Sequence, residues 1–349
     1  MDFRRYWPTA PAWLRRRRAT PDPGALTPQP VPDCAFDPRG GPAAEPRTLA
    51  LLSLIEDVTA ADGHRYGAAD DSGCEMHCAK IIADDGGGTD KDARYLAVYH
   101  STLRDGQFHV ALAVSRDLLD WRRLREFGPG GSQPTIAAVP GGGYLVAWEQ
   151  EPRNHIALRY FADRTALVGG TPLRSFDARR SLSRCAEGTP NIYAVRLNPD
   201  IDRSVIELGG HYWWRCDRDR QLRATLTDFS RWRAAPQPGF DAALLRWGVG
   251  GNIGGRDPLE FFGHSYALVE AQHVKGDFGS WRTYVYEYES GLAHPARIRT
   301  HGGSSAFANP HVTALTAPDG RRALAVSLFL PGEGAAPGEG GQLLYYRGY

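Results

Sequence analysis

Five times along the chain the same short phrase returns: a small or helix-breaking residue, β-formers, a glycine or polar turn, and a second apolar strand. The copies are Ala79-Lys80-Ile81-Ile82, Pro134-Thr135-Ile136-Ala137, Pro190-Asn191-Ile192-Tyr193, Pro258-Leu259-Glu260-Phe261 and Pro310-His311-Val312-Thr313. Their anchors stand 52 to 68 residues apart, room for one four-stranded propeller blade and its loops per repeat. The spacing predicts an all-β chain folded as a five-bladed β-propeller. It places the ring over 46–349, behind an N-terminal extension over 1–45 that is partly disordered or straps the ring.

Strand pairs inside each unit support this. Arg94 to His100 leads through Arg104-Asp105-Gly106-Gln107 into Phe108 to Ser115; both runs are rich in aromatic and branched residues, and Asp-Gly is a hairpin signal. The 40 Gly and 25 Pro fit many short turns, and no long stretch keeps an apolar 3.6-residue period. The 41 basic and 40 acidic residues leave a formal net charge of +1, which argues against nucleic acid or an anionic membrane as the main partner. Arg15 to Arg18 run into a Pro-rich stretch rather than an apolar core, so neither a secretory signal nor a membrane span is expected.

Five cysteines, Cys34, Cys74, Cys78, Cys185 and Cys216, form no paired framework, which suits a reducing, cytoplasmic setting. Cys74-Glu75-Met76-His77-Cys78 contains zinc-ligand types, but it lacks a Cys-x-x-Cys turn and a second pair. Buried small hydrophobes are the better reading, and no metal or cofactor is expected.

Ser115-Arg116-Asp117-Leu118-Leu119-Asp120-Trp121 is echoed by Thr227-Asp228-Phe229-Ser230-Arg231-Trp232. In both, an Asp can bind turn amides while the Trp packs back on the blade. The phrase resembles the Ser-x-Asp-Leu-x-x-Trp of five-bladed glycosidases, notably glycoside hydrolase family 43 and its arabinanase, xylosidase, invertase and levansucrase relatives. Glu187-Gly188-Thr189-Pro190-Asn191-Ile192-Tyr193 is similar to that family's third-blade segment bearing the general acid. The resemblance implies Glu187 as proton donor to a small glycoside or oligosaccharide in a central funnel.

The family's base, an Asp, falls here on Cys78, and its second-blade Asp on Gln133, which cannot share a proton. Candidates for a replacement base are Glu75 with His77, Asp257, Glu149 and Glu270. Asp257-Pro258 reads as the start of the fourth inner strand, level with Glu187. Gln133, Asn191, Asn309, His311 and Arg256 would line the funnel, with Trp148 and Tyr193 as aromatic walls. Two other readings stand beside a glycosidase with a non-standard base: a non-hydrolytic cyclase or isomerase of a small metabolite, and a sugar-binding propeller without turnover. Oligomeric state is open.

Overall fold

The computed structural model describes residues 44–84, 94–196 and 203–349. Arg15 to Arg18, Cys34 and nearly all of the expected N-terminal extension lie outside them. A helix, α1 (Pro46–Ile55), opens the described chain and is followed by a three-residue strand, β1 (Gly63–Arg65). Blade one is β2 (His77–Ala83), β3 (Tyr95–Thr102), β4 (Phe108–Ser115) and β5 (Arg122–Pro129). Blade two is β6 (Gly131–Ala138), β7 (Tyr144–Gln150), β8 (His155–Phe161) and, after helix α2 (Arg164–Gly169), β9 (Arg174–Asp177). Blade three is β10 (Glu187–Arg196), β11 (Val205–Trp214), β12 (Arg218–Thr227) and β13 (Arg231–Pro236). Helix α3 (Pro238–Leu245) leads to blade four: β14 (Ile253–Phe261), β15 (His264–Gln272), β16 (Trp281–Glu287) and β17 (Leu292–Ala296). Blade five is β18 (Ala308–Thr316), β19 (Arg322–Leu330) and β20 (Gly341–Gly348), with β1 as its outer strand. The structure is thus the five-bladed β-propeller that the repeat predicts.

Ring closure joins the two ends of the described chain. Gly63, His64 and Arg65 pair antiparallel with Tyr346, Tyr345 and Leu344. Asp62 accepts from Arg321 at 2.7 Å and from the Gly348 amide at 2.6 Å. Among the described residues the clasp is made by residues 62–65.

Apolar faces of neighbouring blades pack on each other and form the core. Val98, Val110 and Leu112 of blade one meet Ile136, Val146 and Trp148 of blade two, and Leu145 and Leu158 meet Ile206, Leu208 and Leu226 of blade three. Helix α1 buries Leu51, Leu52 and Ile55 against blades four and five. Its short apolar stripe behind Pro46 is a helical period that the sequence reading passed over.

The Ser-x-Asp-Leu-x-x-Trp phrase is a bend at the far end of blade one. Asp117 accepts from the amides of Leu119 and Asp120 at 2.9 and 2.8 Å, and the buried Trp121 donates to Leu118 O at 3.2 Å. One expectation is corrected here: Cys185 and Cys216 form a disulfide, with Cα atoms 5.6 Å apart. Two loops remote in sequence bring them together, and the unpaired-cysteine ground for a reducing setting falls with that pairing.

Candidate active site at the heads of the inner strands

Every inner strand breaks register with its neighbour after its first residues, at 77/80, 132/135, 188/191, 253/256 and 308/311. The skipped pairs are Cys78-Ala79, Gln133-Pro134, Thr189-Pro190, Gly254-Gly255 and Asn309-Pro310. Cys78, Gln133, Thr189 and Asn309 have φ between 46° and 55°, left-handed backbone that is held only when its surroundings over-determine it. This register moves the fourth repeat anchor from Pro258 to Gly255. Asp257 therefore lies deeper than Glu187, not level with it.

A polar side chain of the preceding blade latches each bulge. His100 Nδ1 accepts from Gln133 N at 3.2 Å, Glu149 Oε2 from Thr189 N at 3.2 Å, Glu270 Oε2 from Asn309 N at 2.6 Å, and Gln342 Oε1 from Cys78 N at 2.9 Å. At blade four the direction reverses: Gln221 Nε2 donates to Ile253 O and Gly254 O, both at 2.8 Å. Glu149 also accepts from Asn154 Nδ2 and packs over Gly188, where any side chain would collide with the carboxylate. Glu270 accepts from Gly255 N at 2.5 Å as well.

These latches gather buried carboxyls at one end of the ring. Burial pushes Glu270 up to about 7, against the pull of the Asn309 and Gly255 amides. Burial likewise raises Glu149 and takes Asp219 to about 7, and brings His211 down to about 4. Cys78, where the resembled family has its base, is buried and its thiol is raised well above its ordinary range, first by burial and then by the charges of Glu270 and Glu149. A thiol so placed does not ionise readily.

Deeper along the axis Lys80 reaches from blade one to blade four, 2.5 Å from Asp257 Oδ2, and donates to Val312 O at 2.9 Å. Val312 N donates to the same Asp257 oxygen at 2.9 Å, and His311 Nδ1 stands 3.7 Å from it. Burial alone would raise Asp257, but Lys80 and His311 overcome it and hold the carboxyl below its ordinary range. A lysine inside the apolar run Ala79-Lys80-Ile81-Ile82 is the sequence signal for this pair, one the reading of the sequence did not use.

Arg256 is 2% exposed, and its Nη atoms donate to Gly254 O at 3.3 Å and Thr189 O at 3.1 Å. Its Nε and both amide atoms of Asn191 have no hydrogen-bond partner. Tyr193 hydrogen-bonds Tyr288 at 2.5 Å beneath the Arg223 guanidinium, 3.5 Å from the ring centre.

Glu187 is 2% exposed, and its Oε1 accepts from the amides of Ser181, Leu182 and Ser183 at 2.5 to 3.0 Å. It braces the loop that carries Cys185. Glu75 and His77 pair at 2.9 Å above β2, and that hydrogen bond holds Glu75 below its ordinary range against the effect of burial. Trp148 stands apart from the others: it is buried between blades one and two, stacked on Phe127, with Arg159 over its ring. The structure thus brings Gln133, Asn191, Arg256, Asp257, Asn309 and His311 to the inner strands together with Lys80, and Glu149 and Glu270 reach them from the second strands of blades two and four. Among the described residues no group of three or more His, Cys, Asp or Glu could hold a metal ion, and no helix is long and apolar enough to cross a membrane.

No family model and no curated protein sequence matches the chain. Its fold is matched by solved structures. One is a glycoside hydrolase, 10% identical, with 88% of this chain and 96% of that chain covered at a TM-score of 0.56. Another is an exo-1,5-alpha-L-arabinanase from a bovine ruminal metagenomic library, 13% identical, with 80% and 95% covered at 0.51. At such identity the likeness concerns architecture, and the chain has the five-bladed propeller fold found in these glycoside hydrolases.

Proposed function

We propose that the chain is a glycosidase-like enzyme acting on a small glycoside or oligosaccharide bound at the heads of the inner strands, with Glu270 as proton donor and Asp257 as the ionised partner. The observation that carries this is the contrast between two carboxyls of blade four. Glu270, at about 7, keeps a proton near neutrality, while Lys80 holds Asp257 ionised, the division of labour that acid–base hydrolysis of a glycoside requires. Both lean on β18, at the amides of Asn309 and Val312. Three residues of strand span about 10 Å at most, of the order that separates the carboxyls of inverting glycosidases. The unmet hydrogen-bonding capacity of Asn191 and Arg256 suits a polyhydroxylated ligand. Glu187, the acid implied by family resemblance, accepts three backbone amides on Oε1, one more than Glu270 accepts, and is the alternative donor that the test separates.

The test is turnover of aryl glycosides and oligosaccharides by the full chain and two variants. Glu270→Gln lowers kcat by on the order of 100-fold or more, and Glu187→Gln lowers it less. The reverse order returns the acid role to Glu187; unchanged turnover in both variants refutes the proposed chemistry. A second reading, a sugar-binding propeller without turnover, draws on the fact that Glu149, Glu187 and Glu270 all accept backbone amides. It predicts saturable binding with no product after prolonged incubation.

A further inference from the structure

The β11–β12 hairpin of blade three ends in a turn that its sequence suits poorly. Asp217 N donates to Trp214 O at 3.0 Å across the turn, and both central residues, Arg215 and Cys216, have positive φ, 53° and 54°. Such turns favour Asn-Gly because a side chain with Cβ strains there. Neighbouring loops hold the turn in place. Cys216 is bonded to Cys185, Trp213 N donates to Ala186 O at 2.9 Å, Ser183 Oγ donates to Trp213 O at 2.8 Å, and Lys275 of blade four pairs with Asp217. The loop receiving these bonds is the one that Glu187 braces.

What this rigid tip presents is Trp214. It is 36% exposed in a molecule that buries most of its large apolar groups, and the Arg215 guanidinium lies 4.4 Å from its ring centre. The hairpin stands at the end of the ring where the inner strands begin, since Glu187 pairs with Tyr212 two residues before Trp214. A single aromatic ring among Arg215, Asp217, Arg218 and Lys275 offers too little apolar area for a protein interface, about 800 Å² per partner. An aromatic face bordered by hydrogen-bonding groups matches a pyranose or furanose ring, which turns C–H to the face and hydroxyls to the rim.

We propose that Trp214 is an outer sugar-binding platform, stacking against a ring at least one unit removed from the sugar at the inner-strand heads, so that the preferred ligand is an oligosaccharide laid across blade three. This rests on the carbohydrate reading above and adds the direction and length of the ligand. Arg215 keeps one face of the indole covered and its plane fixed, and the sugar takes the open side.

The experiment is calorimetric titration of the full chain with xylotriose against xylose and with arabinotriose against arabinose. At least one trisaccharide binds tenfold or more tighter than its monosaccharide, about 1.4 kcal/mol. Trp214→Ala abolishes that preference, Trp214→Phe keeps most of it, and both variants melt within about 2 °C of the parent because the position is at the surface. Trisaccharides that bind no tighter than monosaccharides in both series, or a preference that survives Trp214→Ala, overturn the proposal. Trp214-dependent binding without product would leave the platform standing and sink hydrolysis. Hydrolysis of a trisaccharide with the same KM in Trp214→Ala would do the opposite.

Discussion

Blades one and four break register at the same place at the heads of their inner strands and fill that break with opposite chemistry. In blade one the bulge is Cys78-Ala79 and the latch it receives is the neutral Gln342. In blade four it is Gly254-Gly255, with Glu270 folded onto the Gly255 amide and Asp257 two residues further on. A side chain at Gly254 would run into the Glu270 carboxylate, so the glycine is what admits the acid. The bulge and its register belong to the fold and recur five times; the charge belongs to one side of the ring. A comparison between repeats therefore separates what closes the propeller from what does chemistry in it.

The contrast breaks most visibly at Glu270. Glu270→Gln lowers turnover on the order of 100- to 10,000-fold, while Gln133→Ala, at a neutral head, stays within about tenfold of the parent; steady-state rates on one aryl glycoside check both. Next in size is the axial ion pair. Asp257→Asn leaves Lys80 buried without its counter-charge and destabilises by about 3–5 kcal/mol in urea titrations, whereas Lys80→Met combined with Asp257→Leu recovers most of that loss.

A smaller effect follows from protonation. Folding raises Glu270 from its ordinary range to about 7, so its burial carries no penalty below about pH 4.5 and an increasing one as pH rises through 7. The stability of Glu270→Gln relative to the parent should therefore grow from pH 5 to pH 8, by on the order of 1–3 kcal/mol, measured as paired melting curves. A gap that stays flat over that range contradicts the raised proton affinity. The least expected change is at blade one: Gln342→Ala strands the Cys78 amide at about 1 kcal/mol, visible as a slightly lower denaturation midpoint with catalysis intact.

Much of the ring was legible because strand pairs carry their own signals, such as the aromatic and branched runs and the Asp-Gly turn between Tyr95 and Ser115. The anchors were legible wherever Pro or Ala follows the left-handed residue. They misled in blade four, where Asp257-Pro258 imitates Asn309-Pro310 while two glycines form the actual bulge. Side-chain partnerships across the ring were not legible: nothing local in Lys80 names Asp257, and nothing in Cys185 names Cys216. Trp148 looked like a wall of the funnel because strand spacing does not say which blade face a ring enters. Glu187 lay where the family resemblance put it, at the head of β10, but the turn that aims the amides of Ser181, Leu182 and Ser183 at its carboxylate, although only four to six residues upstream, carries no motif that announces it.

The seam of the ring carries a different lesson. Three residues near the start of the described chain complete a sheet whose other strands are β18, β19 and β20, so the toroid can lock only once β20 has been made. If clipping just ahead of residue 66 removed β1, β20 would expose a row of unmet amides and carbonyls, an edge open to a strand from another copy. The Asp62 contacts with Arg321 and Gly348 thus guard against polymerisation as well as holding shape.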